Sequence, residues 1–130
     1  MGKIIALVED LFFRARIAET ARHTGVAFEA VGNGKELLER LRAASGAGAE
    51  RIERPTLIIV DLNGRGGALE CLHELKATGN QIPVIAFLSH VQAELAEQAR
   101  MAGCNEVMPR SKFTRNLAVI MEREKAVVGD

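Results

Sequence analysis

Apolar residues along the chain gather in short unbroken runs that stop at polar or turn-forming residues. Residues 3–8, KIIALV, end at Glu9-Asp10, residues 56–63, TLIIVDLN, follow Pro55, and residues 83–88, PVIAFL, begin at Pro83. Short apolar runs with such boundaries predict buried strands. Weaker runs at 26–31, VAFEAV, and 106–108, EVM, predict a second and a fifth strand in chain order. Between the strands the period changes. Phe13, Ile17 and Ala21 recur at helical spacing and Gly25 follows as a stop. Leu37, Leu38 and Leu41 share a helical face behind Asn33, which predicts an N-cap. Leu69, Leu72 and Leu75 precede the stop Gly79, and residues 91–102 form a further helix before Gly103. Leu117, Ile120 and Met121 mark a last helix, with Ser111 or Thr114 as its expected cap.

Strand and helix thus alternate along the whole chain. Strict alternation predicts a parallel sheet with helices on both faces, an α/β doubly wound (βα)5 sandwich with right-handed crossovers. In such sheets function collects beyond the carboxyl ends of the strands, at the switch point of the strand order. Those ends carry Glu9-Asp10, Asp61, Leu88-Ser89 and Pro109-Arg110. In a sheet ordered 2-1-3-4-5, the first and third strands are neighbours and Glu9, Asp10 and Asp61 converge. Crowded carboxylates repel one another unless a cation neutralises them. Hard oxygen donors of this kind suit Mg²⁺, and an aspartate beside it can attack phosphorus.

Composition narrows the function classes. At 130 residues with 48% hydrophobic content, residues 1–130 suit one domain, with its core at about 3–125. Seventeen basic residues balance 17 acidic ones, and there is no Trp or Tyr, which argues against a nucleic-acid surface. No stretch is apolar enough to span a membrane and the N-terminus has no signal-peptide shape, so a cytoplasmic protein is expected. Residues 43–55, AASGAGAERIERP, should extend a helix and then form an exposed loop over 45–55. Cys71 and Cys104 lack metal-ligand spacing and read as reduced, half-buried thiols. His23 and His73 read as surface residues and His90 as a loop residue. Asn63-Gly64-Arg65-Gly66-Gly67 lacks the lysine and hydroxyl of a phosphate-binding loop and reads as a flexible turn.

The segments VED at 8–10, LIIVDLN at 57–63, IPVIAF at 82–87 and AGCNEVMPRSKF at 102–113 resemble a receiver domain of two-component response regulators, of the single-domain, chemotaxis-regulator type. That resemblance implies a flavodoxin-like fold and phosphorelay signalling rather than enzymatic turnover. It makes Asp61 the phosphoacceptor. Asp10 becomes the direct Mg²⁺ ligand, Glu9 its partner acting through water, and Asn63 a source of a backbone carbonyl for the metal. It also implies a histidine kinase or phosphotransfer protein upstream and a protein target downstream. Contact with the target, or homodimerisation, would use the face of the fourth helix, fifth strand and fifth helix.

The chain departs from the family pattern in its switch. Leu88 stands where receivers carry Thr or Ser, with Ser89 one residue later as a substitute hydroxyl. Arg110 stands in the usual Lys position, with Lys112 as a substitute cation. Val107 replaces the switch aromatic, and the loop after Asp61 lacks the common Met-Pro. Leucine cannot donate a hydrogen bond to a phosphoryl oxygen, and Arg is a planar fork rather than a point charge. Two alternatives follow: an interaction scaffold that is never phosphorylated, and a small phosphatase with an aspartate nucleophile. The latter is disfavoured because no substrate-binding cap fits in a chain of this size.

Overall fold

The computed structural model describes residues 2–44, 54–89 and 92–127. The strands are β1 (Lys3–Leu7), β2 (Ala27–Val31), β3 (Leu57–Asp61), β4 (Val84–Leu88) and β5 (Glu106–Pro109). The helices between and after them are α1 (Leu11–Thr24), α2 (Gly34–Ala44), α3 (Ala68–Ala77), α4 (Ala93–Met101) and α5 (Arg110–Lys125). All strand pairs are parallel, and the order across the sheet is β2-β1-β3-β4-β5. The predicted doubly wound, flavodoxin-like α/β fold is therefore the observed one.

Alternation along each strand builds two cores. Ile5, Leu7, Ile58, Val60, Val84, Ala86 and Leu88 face one side and pack with Leu37, Leu72, Leu75 and Ala99 from α2, α3 and α4. Ile4, Ala6, Leu57, Ile59, Ile85 and Phe87 face the other and pack with Phe13 and Ile17 of α1 and Phe113, Leu117, Ile120 and Met121 of α5. Strands buried on both faces need no polar alternation, which is why they read as continuous apolar runs. Asp61 continues the Leu57–Ile59 row, so the pleat aims it toward the α1–α5 side.

Helix ends follow the sequence signals with one exception. The N–H of Gly25, at φ 88°, meets the carbonyls of Ala21 and Arg22 and closes α1. Asn33 Oδ1 accepts from the Glu36 N–H at 2.8 Å and caps α2 as expected. The last helix starts earlier than Ser111 or Thr114: Pro109 is its N-cap, without a side-chain hydrogen bond. Thr114 instead donates back to the Arg110 carbonyl at 2.9 Å from inside the helix. Proline holds the extended φ that lets β5 pass directly into α5 with no intervening loop. The predicted loop at 45–55 lies mostly outside the described residues, and Pro55 is buried rather than exposed. Both cysteines are free and buried, with burial pushing each thiol up to about 11.

Far from the carboxyl edge, one polar contact ties the sheet to α5. Glu124 is the buried charged residue of the described core, and its Oε1 accepts from Thr56 Oγ1 at 2.8 Å. The same hydroxyl oxygen accepts from the Lys3 N–H at 3.0 Å. A buried acceptor that loses its donor keeps its desolvation cost. Thr56→Val is therefore expected to destabilise the protein by about 1–3 kcal/mol in urea unfolding. Thr20→Val, which removes only a bond to Arg16 on the surface of α1, should stay within about 0.5 kcal/mol.

Candidate functional site at the carboxyl edge of the sheet

The turn from β1 into α1 is held from below. The Val8 N–H donates to the Val31 carbonyl at 3.2 Å. Arg14 reaches back from α1, and its Nε and NH2 donate to the Val8 carbonyl at 3.1 and 2.7 Å. This fixes Glu9 and Asp10 over the end of the sheet. Asp10 is the N-cap of α1, its Oδ1 accepting from the N–H groups of Phe12 and Phe13 at 2.9 and 3.2 Å. Its Oδ2 accepts from Arg110 NH2 at 3.1 Å. The Phe13 N–H and then the Arg110 guanidinium hold the Asp10 carboxyl below its usual range.

Arg110 begins α5, and its guanidinium lies over the Phe13 ring, 4.0 Å from the centroid, and 5.9 Å from that of Phe87. Phe13, Phe87 and Phe113 form one aromatic cluster, with Phe87 and Phe113 stacked at 4.7 Å and Phe13 edge-on to Phe87 at 5.2 Å. A cation over an aromatic face is attracted by the ring quadrupole. The ion pair and the rings together hold the guanidinium in one place.

Asp61 sits at the end of β3, half-buried, and its Oδ1 accepts from the Asn63 N–H at 2.9 Å. Burial pushes its carboxyl above the usual range. The Asn63 N–H and the Arg110 charge oppose that shift, while Glu9 and Asp10 add to it. The acids and Arg110 therefore act on Asp61 as one electrostatic cluster, as the strand order implied.

Glu9 is turned toward the β3–α3 turn, where its Oε2 accepts from the Gly66 N–H at 3.0 Å. A Cβ at Gly64 would collide with that carboxylate, and one at Gly66 would stand 2.8 Å from Asn33 Cα. The turn expected to be flexible is thus anchored, and its glycines permit the close approach. Asn63 links this turn to the next strand end: its Nδ2 donates to Gln92 Oε1 at 2.7 Å and its Oδ1 accepts from the Ser89 N–H.

Compared by sequence, the chain matches no family model and no curated protein. Compared by structure, it matches response regulators. One is the phosphorylated cyanobacterial phytochrome response regulator RcpA, at TM-score 0.79 and 22% identity, covering 98% of this chain and 96% of that one. Another is the Mn²⁺-bound form of response regulator Rcp1, at TM-score 0.73 and 17% identity over 100% and 99% of the two chains. A third is the chemotaxis response regulator CheY4 of Vibrio cholerae, at TM-score 0.74 and 17% identity over 95% and 98%.

The chain has the receiver fold.

Within that fold the remaining expected site residues separate. Leu88 is buried in the α2–α3–α4 core, on the opposite face from Phe87. Ser89 is exposed and, with Arg110, lines an open cavity between the starts of α1 and α5. Lys112 is exposed on α5, with no ion pair among the described residues. Val107 is half-buried against α4, where it lines a cavity of about 350 Å³ with Leu88 and Ala96. His23 and His73 are exposed as expected, His23 lying 3.0 Å from Glu19, and His90 lies outside the described residues. Sequence reasoning missed two features: Phe13 as the seat of Arg110, and the side chain of Asn63 as a bridge. The Arg in the usual Lys position was the only signal for the first.

The donor chemistry fits a hard divalent cation, since Glu9, Asp10, Asp61 and the Asn63 carbonyl all offer oxygen. The arrangement differs from the expected ligand cluster. Among the described residues no group of three or more His, Cys, Asp or Glu side chains is set to hold a metal. Asp10 faces Arg110 and Glu9 faces Gly66, so the chain's own donors hold these carboxylates.

The raised Asp61 carboxyl has a consequence for stability. A group whose folded pKa is raised favours the fold when protonated, and that advantage is lost as pH rises through the folded value. Asparagine mimics the protonated form at every pH. In metal-free buffer, Asp61→Asn should melt higher than the parent at pH 7. The gain should vanish below the ordinary aspartate range, and thermal melts across pH check both arms.

Proposed function

We propose that the protein is a phosphorelay receiver in which Asp61 accepts a phosphoryl group. The observation that carries this reading is the position of Asp61. It is a half-buried carboxylate at the end of the central strand, with Arg110 held nearby by Asp10 and Phe13. In the proposed step an Asp61 oxygen attacks the phosphorus of a phosphohistidine or an acyl phosphate. The new O–P bond forms as the P–N or P–O bond to the donor breaks, and the imidazole or carboxylate departs with the electron pair. A magnesium-class cation held by Glu9, Asp10, Asp61 and the Asn63 carbonyl would neutralise charge on the transferring group. The Arg110 fork matches two phosphoryl oxygens, as a lysine point charge does not.

The upstream partner is a histidine kinase or phosphotransfer protein, and the output is protein contact or homodimerisation through α4, β5 and α5. The cell compartment proposed is the cytoplasm; among the described residues no helix is long and apolar enough to cross a membrane. The Mn²⁺ in the Rcp1 structure supports the cation assignment by analogy.

One observation favours a second reading. Leu88 is locked in the core and Val107 is not aromatic, so neither can make the usual inward switch. A scaffold that is never phosphorylated would tolerate both.

Incubation with Mg²⁺ and acetyl phosphate, followed by intact-mass measurement, separates the two. The receiver reading expects a base-labile gain of one phosphoryl group that Asp61→Asn abolishes. A parent protein that gains no mass under these conditions supports the scaffold and sinks the receiver.

A further inference from the structure

Beside Asp10 and Arg110, a shallow cavity of about 640 Å³, wide open to solvent, lies between the first turns of α1 and α5. That volume falls in the range of small-molecule sites, roughly 300–1,000 Å³. Phe12 and Arg16 line it one helical turn apart on α1, and Ser111 and Arg115 line it one turn apart on α5. The Asp10–Arg110 pair completes the wall, so three guanidiniums face a single carboxylate.

Two of the three guanidiniums in this cavity are uncompensated. Arg22, Arg40, Arg100 and Arg123 each pair with an acid elsewhere on the surface. Arg16 and Arg115 have no hydrogen bond or ion pair among the described residues. Phe12 is 91% exposed, the largest exposure among the exposed large hydrophobic side chains, and it lies on the wall of this same cavity. An inorganic anion would use the arginines and leave the ring in water. An uncharged aromatic ligand would use the ring and leave the guanidiniums unpaired. A ligand with a planar apolar part and a polyanionic tail uses both, because bases stack on exposed aromatic rings and phosphates pair with guanidinium forks.

We propose that this cavity binds a nucleoside phosphate, with the phosphates on Arg16, Arg115 and the Ser111 hydroxyl and the base against Phe12. The cavity overlaps the proposed phosphoacceptor site at Asp10, Arg110 and Ser89, while Asp61 itself is not among its lining residues. Its contents would register on the Asp10–Arg110 pair, which belongs to both sites.

The test is calorimetric titration of the full chain with ATP, GTP, tripolyphosphate and adenosine, in buffer containing EDTA so that no metal bridges a nucleotide to the acids. Saturable binding of a nucleotide, at least roughly tenfold tighter than tripolyphosphate, is expected, with no binding of adenosine. Arg16→Ala and Arg115→Ala, both at exposed positions, should each weaken binding by roughly tenfold or more. Phe12→Ala should remove the advantage over tripolyphosphate, and Asp61→Asn, which removes a negative charge near Arg110, should bind at least as tightly as the parent. The absence of saturable nucleotide binding overturns the proposal. So does binding that survives the Arg16→Ala, Arg115→Ala double variant, tripolyphosphate binding equal to that of both nucleotides, or binding lost in Asp61→Asn.

Discussion

The contact between Arg110 and Asp10 ties the start of α5 to the start of α1 at the carboxyl edge of the sheet. Three acids, Glu9, Asp10 and Asp61, stand along that edge, and Asp61 is half-buried. Arg110 supplies positive charge from the start of α5, where Asp10 and the Phe13 ring hold it. Asp10 is itself fixed because it caps α1. Cap, ion pair and cation–aromatic contact therefore share one pair of side chains. Moving either member would disturb the start of α1, the start of α5 and the charge felt by Asp61.

The sheet makes that contact possible by delivering its parts to one edge. Parallel strands bring every carboxyl end to the same side, and the order β2-β1-β3-β4-β5 sets β1 beside β3. The two-residue period then sorts side chains by face. Asp61 and Phe87 are register partners on neighbouring strands. Leu88, one residue on, turns to the opposite core. A single-residue step thus decides which side chain serves the site and which serves packing.

Much of this was legible in the sequence. The apolar runs, the Gly25 stop, the Asn33 cap and the strand-end acids all rest on local chemistry and are found where expected. The start of α5 was not, because Ser111 and Thr114 offered the usual capping hydroxyls while Pro109 acts through its backbone alone. The seat of Arg110 on Phe13 was also hidden. It joins residues nearly a hundred positions apart, on helices whose contact depends on the packed sheet. The orientation of Glu9 toward Gly66 belongs to the same class: spacing brings the acids to one edge but does not say which donors each one meets.

The balance between Arg110 and the acids can be read directly at Asp61. Carbon-detected NMR titration of the Asp61 carboxyl, in metal-free buffer, would compare the parent with Arg110→Gln. Removing the guanidinium takes away a charge that favours ionised Asp61 while leaving burial, Glu9 and Asp10 to disfavour it. The Asp61 pKa should therefore stand above the ordinary aspartate value in the parent and higher still in the variant. An Asp61 pKa that is unchanged or lower in Arg110→Gln would contradict the account.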